Sequence, residues 1–243
     1  MASGNDAKPS SENELPAGLI REQIPKHVAV IMDGNRRWAK KKGLPPMFGH
    51  DAMIPRLIEV VVLCCKWGIK VLTVYAFSTE NWSRPQVEVD FLMELFERML
   101  QEHEEIFMRN EVRVSIIGNP VKLPISLQNQ ITKTTETTIR NSKLHLLLAI
   151  NYGGKDDILQ AYINESLFDE ELETGITELP YPDLFIRTSG ELRLSNFLAW
   201  QLAYTELYFT ESLWPDFGER EFIMALQSFQ RRQRRFGGQD INA

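Results

Sequence analysis

Cysteine is scarce in this sequence: only Cys64 and Cys65 occur, side by side in an apolar run. Adjacent cysteines make neither a CxxC pair nor a disulfide framework. A reducing compartment fits them best. Long apolar runs are also missing. The longest, 58–65, is far short of the roughly 20 residues a membrane-spanning helix needs, so no transmembrane segment is expected. Positive charge is not in excess: 27 Lys and Arg stand against 33 Asp and Glu, a net charge of -6. That balance argues against a nucleic-acid partner. There is no G-x-x-x-x-G-K-S/T loop and no G-x-G-x-x-G fingerprint, which counts against ordinary nucleotide chemistry. The lack of HExxH and of spaced Cys/His ligands counts against zinc. No Ser-His-Asp or Cys-His arrangement stands out.

What is present suits one large domain. Apolar residues make up 43% of the chain and aromatics 10%, enough for a substantial core. Residues 1–19 are polar and rich in Pro, Gly, Ser and acids. They read as a flexible tail, with neither a signal peptide's apolar centre nor a transit peptide's basic character. We place the N-terminal tail at 1–23, a single catalytic domain at 24–238 and a short tail at 239–243. Two glycosylation patterns, Asn81-Trp82-Ser83 and Asn164-Glu165-Ser166, are expected to go unused without a signal peptide.

Strand-like and helix-like segments alternate. Apolar runs at 27–32, 70–77, 112–117, 144–150, 183–187 and 203–209 read as strands. Helical spacing marks 51–67, 89–109, 126–141 and 222–236. Continuous apolar strands separated by helices predict an α/β fold, a mostly parallel central sheet flanked by helices. Such sheets bind ligands beyond the carboxyl ends of their strands.

Polar clusters follow four of the strands: Asp33-Gly34-Asn35-Arg36-Arg37, Ser78-Thr79-Glu80-Asn81, Asn151-Tyr152-Gly153-Gly154, and residues 187–193. All four are expected at one edge of the sheet. Arg37, Arg84, Arg187 and Arg193 supply forked donors suited to phosphate oxygens. Gly34, Gly153, Gly154 and Gly190 let the backbone approach a ligand. The Gly34–Arg37 stretch leads into a helix, whose N-terminus attracts anions. A carboxylate beside phosphates repels them unless a divalent cation lies between, and Mg²⁺ binds one or two carboxylates with phosphate oxygens. Asp33 is therefore either a Mg²⁺ ligand in a diphosphate site or an acid that caps a turn.

Among the four histidines, His103 lies among acids on a solvent-facing helix, His145 in a strand, and His27 at a strand start. His50 follows a Gly at a helix start near the phosphate-like cluster and is the functional candidate. The apolar residues along 89–109 form core or line a hydrocarbon pocket. The basic run 231–235 sits in the last turns of a helix, where cations are favourable; a phosphate clamp or nucleic-acid patch is the alternative.

Together these residues resemble the cis-prenyltransferases, the family of undecaprenyl diphosphate synthase. The resemblance rests on HVAVIMDGNRRWA (27–39), GH (49–50), AFSTENWSRP (76–85), NYGG (151–154), PDLFIRTSGELRLSNFLAWQLAYTELYF (182–209), WPDF (214–217) and RRFGG (234–238), in family order over residues 24–238. It implies a parallel-sheet domain with a hydrophobic tunnel, usually a homodimer, that joins C5 isoprenoid diphosphates with Mg²⁺ and releases diphosphate. By resemblance Asp33 holds Mg²⁺ and helps the allylic diphosphate leave. Gly34, Asn35, Arg36, Arg37 and Trp38 surround that diphosphate, with His50 nearby. Ser78 and Asn81 assist proton removal or diphosphate handling, and Trp82 and Arg84 shape and charge the site. Arg187, Arg193 and Ser195 grip the second diphosphate. Glu206 matches a metal-binding Glu that reaches Mg²⁺ from the partner region of the site. Arg235, Phe236 and Gly237 match a C-terminal element that closes over the second diphosphate, often across the dimer. A non-catalytic partner subunit is the alternative from another class; such subunits typically lose the catalytic Asp, which this chain keeps.

Three departures from the family pattern stand out. The Arg common before the Gly-His pair is replaced by Leu44-Pro45-Pro46-Met47-Phe48. A usual small Gly after the pair is absent from His50-Asp51-Ala52-Met53-Ile54-Pro55, and Met53 falls about one helical turn from His50, near the first substrate. Pro55 is tolerable only in a first helical turn. Residues 155–179 are shorter than usual. The first two departures predict an unusual product: head-to-middle coupling of two dimethylallyl diphosphates to lavandulyl diphosphate. Regular cis elongation with isopentenyl diphosphate, to neryl, Z,Z-farnesyl or longer products, is the alternative. The stretches LCCKWGIKVLTVYAFSTENWSRP and QLAYTELYF resemble plant members, whose short-chain enzymes act in plastids.

Overall fold

The computed structural model describes residues 15–163, 180–236 and 238. Its sheet has six strands: β1 (His27–Ile31), β2 (Val71–Ser78), β3 (Val112–Ile117), β4 (Leu144–Tyr152), β5 (Leu184–Arg187) and β6 (Glu206–Phe209). They lie in the order β3-β4-β2-β1-β5-β6 and every neighbouring pair is parallel. The expected α/β architecture is what forms. All five residues of β1 are buried, as in a strand covered on both faces. Its side chains alternate: Val28 and Val30 join one apolar cluster, Ala29 and Ile31 the other.

The helices are α1 (Asn35–Lys41), α2 (Pro46–Asp51), α3 (Met53–Trp67), α4 (Gln86–Glu102), α5 (Glu104–Arg109), α6 (Ile125–Thr138), α7 (Gly154–Ile163) and α8 (Glu219–Gln230). The larger cluster packs α3, α4 and α8 on one face through Trp67, Phe96 and Phe222, with Trp214 among them. The smaller cluster is closed by Phe197, Leu198 and Leu202 from the β5–β6 connection; Phe197 stacks on Tyr75 at 4.5 Å.

Several boundaries differ from the sequence expectation. The helix read at 51–67 starts two residues later, since Asp51 ends α2 and α3 runs over Met53–Trp67. Pro55 has no N–H to donate to the carbonyl of Asp51, so α3 restarts at Met53 and Pro55 falls in its first turn. The helix read at 89–109 breaks at His103, whose Nδ1 lies 3.0 Å from the Met99 carbonyl; His103 stands at a junction, not on a continuous helix. The helix read at 222–236 ends at Gln230. Beyond it Arg232 pairs with Glu206 at 2.9 Å and Arg234 with Asp183, so tertiary ion pairs pull the basic run 231–235 out of helical register. The strand read at 203–209 starts only at Glu206, because Thr205 turns to donate to the Pro182 carbonyl at 2.7 Å.

Residues 15–23, read as part of a tail, contact the domain. Leu15 and Leu19 pack on the core, and Gln230 bonds both backbone groups of Ile20. Residues 1–14, 164–179, 237 and 239–243, with the pattern at Asn164, lie outside the described residues. Among the described residues no helix is long and apolar enough to cross a membrane.

Candidate active site

The connection from β1 to β2 runs to one side of the sheet and that from β5 to β6 to the other. A parallel sheet splits open at such a point and leaves a crevice at the carboxyl ends of its strands. A cleft of about 790 Å³ lies there. Its inner wall is apolar, with Ile31, Met32, Met53, Ala76, Phe77 and Leu92. Its rim is polar, with Asp33, Arg36, Arg37, Arg84, Arg187 and Arg193.

Asp33 lies two residues beyond the end of β1. Its backbone is pinned from two sides: Thr188 accepts from its N–H at 2.9 Å and donates to its carbonyl at 2.6 Å, and the Trp214 N–H donates to the same carbonyl at 3.0 Å. Its Oδ2 accepts from Arg187 Nη2 at 2.9 Å and its Oδ1 from the Gly34 N–H at 2.6 Å, with Arg37 Nη2 at 3.5 Å. Burial pushes the carboxyl pKa up, but the hydrogen bond and charge of Arg187, the Gly34 N–H and the Arg37 charge outweigh it. The group is held below its ordinary value and is ionised near neutral pH. Gly34 turns at φ +104°, and a Cβ there would come within 2.9 Å of Leu213. Only glycine makes this turn without strain or clash.

Arg187 crosses from β5 to hold several groups at once. Its side chain is 4% exposed. Besides Asp33 it donates to Ser195 Oγ at 2.7 Å and to the Arg193 carbonyl. Arg37 donates to the Ser189 carbonyl and hydroxyl at 3.0 and 2.6 Å, and lies 3.1 Å from Glu191. Glu191 also pairs with Arg193. Ser189, Ser195 and Asn196 all hold positive φ, at 78°, 49° and 61°. Such conformations cost free energy in non-glycine residues and collect where a loop must present groups to a ligand.

Ser78 and Asn81 stand on the opposite rim. They cap the short 3-10 helix Thr79–Ser83 reciprocally, and Asn81 Oδ1 accepts from the Ser78 N–H at 3.1 Å. Glu80 accepts from Asn196 at 2.9 Å, tying this rim to the β5–β6 connection. His50 lies in the last turn of α2, not at a helix start. It is buried, with Nε2 3.3 Å from Glu88. Its pKa is lowered: burial disfavours the imidazolium, and the neighbouring Glu88 offsets only part of that. Gly49, just before it, is required by packing, since a Cβ would meet the Asn35 carbonyl at 2.0 Å.

The cleft thus gathers Asp33, Gly34, Asn35, Arg36, Arg37, His50, Ser78, Asn81, Arg84, Arg187, Arg193 and Ser195 from segments far apart in the chain, with Met53 among them. Four of the expected site residues lie elsewhere. Trp38 does not line the cleft; its indole donates to Asp216 at 2.8 Å and Lys42 lies over its ring. Trp82 packs edge-on against Phe77 and donates to Asn151 at 2.7 Å. Trp82, with Asn151, Tyr152 and Gly153, lines a second cavity of about 640 Å³ beyond β3 and β4, so the NYGG cluster reaches the expected edge of the sheet but lines this cavity and not the first cleft. Glu206 sits at the amino end of β6, three register steps from the strand end that bears Arg187, and pairs with Arg232 within the chain. Arg235 is exposed and donates to Gln233 at 2.7 Å. Gly237 lies outside the described residues.

Glu88 escaped sequence reading. An acid just after Pro85 resembles an ordinary first-turn helix acid. The signal was its spacing: Glu88 shares a helical face with Leu92, Leu95 and Met99, all buried.

The donor set fits Mg²⁺ bound together with a diphosphate. Asp33 offers an ionised carboxylate in a cleft lined by guanidinium groups, and the buried Asn35 Oδ1 beside it has no hydrogen-bond partner among the described residues. No group of three or more His, Cys, Asp or Glu that would hold a metal by itself exists among the described residues. One carboxylate completed by phosphate oxygens and water is the mode Mg²⁺ uses in such sites.

Comparison with known proteins agrees with this geometry. A family profile for undecaprenyl diphosphate synthase matches residues 31–237. Dehydrodolichyl diphosphate synthase 2 of Arabidopsis thaliana is 56% identical, over 93% of this chain and 78% of that protein. A (2Z,6Z)-farnesyl diphosphate synthase of Solanum lycopersicum, named chloroplastic, is 54% identical over 89% of this chain and 80% of its own. The crystal structure of lavandulyl diphosphate synthase from Lavandula x intermedia, in complex with dimethylallyl diphosphate, superposes with a TM-score of 0.85 at 39% identity. It covers 89% of this chain and 99% of that one. A profile match across most of the chain, relatives above half identity and a shared fold leave one conclusion: the chain belongs to the undecaprenyl diphosphate synthase family and is a prenyltransferase.

Proposed function

We propose that this enzyme condenses an allylic diphosphate with isopentenyl diphosphate in cis, with Mg²⁺, releasing diphosphate. The observation that carries the reading is the union of a charged rim and an apolar inner wall in one cleft. The rim holds the ionised Asp33 among Arg36, Arg37, Arg84, Arg187 and Arg193. Guanidinium forks bind the diphosphate and stabilise the charge that grows on it as the allylic C–O bond ionises. Bound Mg²⁺ adds Lewis-acid stabilisation of that leaving group. The wall of Met32, Met53, Ala76, Phe77 and Leu92 receives the hydrocarbon and keeps water from the allylic cation. The second alkene then attacks, and a weak base takes one proton. Ser78 and Asn81 stand on the rim near that step. No strong nucleophile is required.

Regular elongation is favoured by the relatives above 50% identity, which are named dehydrodolichyl, nerylneryl and (2Z,6Z)-farnesyl diphosphate synthases. Head-to-middle coupling to lavandulyl diphosphate is the second reading. It is favoured by Met53, which is 3% exposed, lines the inner wall and lies 3.5 Å from Asn35 Nδ2 through its sulfur. An active enzyme, not a non-catalytic subunit, accounts for an intact Asp33–Arg187 pair. A homodimer accounts for Glu206 and Arg235, which the resemblance assigns to the site and the single chain leaves outside it. Exposed Tyr204, Leu207 and Phe236 near the edge strand β6 support that assembly. Relatives named chloroplastic support a plastid location.

The test is product analysis of purified protein with Mg²⁺ and dimethylallyl diphosphate, with and without isopentenyl diphosphate. Linear cis alcohols, after dephosphorylation, are expected only when isopentenyl diphosphate is present. A branched C10 alcohol from dimethylallyl diphosphate alone would establish the second reading. Turnover that survives chelation of Mg²⁺ would remove the metal from the mechanism.

A further inference from the structure

Three groups on the cleft wall share one partner behind it. Glu88, in the first turn of α4, is 7% exposed and does not line the cleft. Its Oε1 accepts from His50 Nε2 and from Arg84 Nη1, both at 3.3 Å, and its Oε2 lies 3.7 Å from Arg36 Nη1. His50 comes from α2, Arg36 from α1, and Arg84 from the turn before α4. One carboxylate therefore joins three separate elements.

Helix formation does not explain this placement. An acid near a helix N-terminus is favourable at the surface as well, and the adjacent Val87 is 69% exposed. A buried carboxylate is costly unless cations surround it. Here the surrounding groups are ones that reach the cleft. Each guanidinium has five donors in a fixed fork, so tying part of it to Glu88 orients the rest. The same negative charge lowers the pull of the wall on any anion in the cleft.

We propose that Glu88 is a positioning residue: it aligns Arg36, Arg84 and His50 along the cleft wall and, as a fixed counter-charge, keeps their grip on diphosphate loose enough for the product to leave. This rests on the diphosphate reading of the cleft. It makes an unusual demand. Removing the charge should strengthen ground-state anion binding while weakening catalysis, the opposite of what a simple loss of structure does.

Glu88→Gln keeps the shape and one acceptor oxygen but removes the charge. Inorganic pyrophosphate, with Mg²⁺ present, should bind the variant about three- to tenfold more tightly than wild type by calorimetry, on Coulomb grounds. Under saturating substrates kcat should fall about fivefold or more as product release slows, with no rise in KM for the allylic diphosphate. Pyrophosphate should become a stronger product inhibitor. A folded Glu88→Gln protein that binds pyrophosphate no better than wild type overturns the inference. Should that variant not fold, Glu88→Asp carries the test. Its charge remains, so pyrophosphate affinity should stay within about twofold of wild type while the shortened reach lowers kcat. Wild-type kcat in Glu88→Asp overturns the positioning role. Wild-type protein that ignores pyrophosphate sinks the diphosphate reading and this inference together, whereas binding by wild type with no gain in Glu88→Gln sinks this inference alone.

Discussion

Two crevices open at the carboxyl edge of the same sheet, and they differ in charge. The first lies beyond β1, β2 and β5 and is lined by five arginines. The second lies beyond β3 and β4, is nearly as large, and is lined by Lys122 with Asp156 and Asp157. Asp157 accepts from Tyr152 at 2.8 Å and Gln201 at 3.1 Å. The parallel sheet explains why polar loops collect at this edge. It does not say which crevice takes an anion. That is decided by which side chains the loops deliver, and only the first presents forked cations beside an apolar wall.

The comparison breaks most sharply at Asp33. Asp33→Asn should cut turnover at least about 10³-fold while circular dichroism stays that of the folded protein, because the carboxylate that would hold Mg²⁺ is lost. Equal turnover would move the chemistry elsewhere. The variant also carries a pH signature. Asp33 is held below its ordinary pKa, so its contribution to stability is complete above the unfolded value of about 3.9 and is lost as pH falls through the folded value. Wild type should lose stability over that acid range, and Asp33→Asn should lose less, by denaturant titration at several pH values.

Arg187→Ala is next. It removes the guanidinium from a nearly buried ion pair and strips Ser195 and the Arg193 carbonyl of a donor. The expected destabilisation is toward the lower end of about 3–5 kcal/mol, since Asp33 keeps some contact with solvent. Pyrophosphate binding should weaken in parallel. A variant that binds pyrophosphate like wild type would assign the anion site to other arginines.

Met53→Ala sharpens the role of the apolar wall. Space opened at a wall residue that is 3% exposed should shift products toward longer chains when isopentenyl diphosphate is supplied. An unchanged product distribution would mean that Met53 does not limit the hydrocarbon. The smallest effect is expected in the second crevice, where Lys122→Ala should leave kcat and KM within about twofold of wild type. A larger change would show that the two crevices communicate.

Much of the sheet was legible because buried parallel strands are written as continuous apolar runs; β3 was found at its observed bounds, Val112–Ile117. Helix boundaries were less legible. Pro55 announced a first turn, but nothing local foretold that α8 would stop at Gln230, since the stop depends on Glu206 and Asp183, distant in sequence. The glycines of the site follow the same division. Gly34 is needed for its backbone angle, a local matter, as well as for its contact with Leu213, whereas Gly49 is needed only because another helix lies against it.

By itself, the sequence determined the α/β sheet, the polar edge, the acid-glycine-arginine signal at Asp33–Arg37 and the family resemblance, because period, turn chemistry and charge type are properties of neighbours in the chain. Tertiary structure alone decided that the NYGG cluster and Trp82 leave the first cleft, that Glu206 pairs with Arg232, and that Glu88 stands behind three cleft residues. Those outcomes depend on which side of a strand order a loop falls and on which charges meet after folding, and neither is encoded in local spacing.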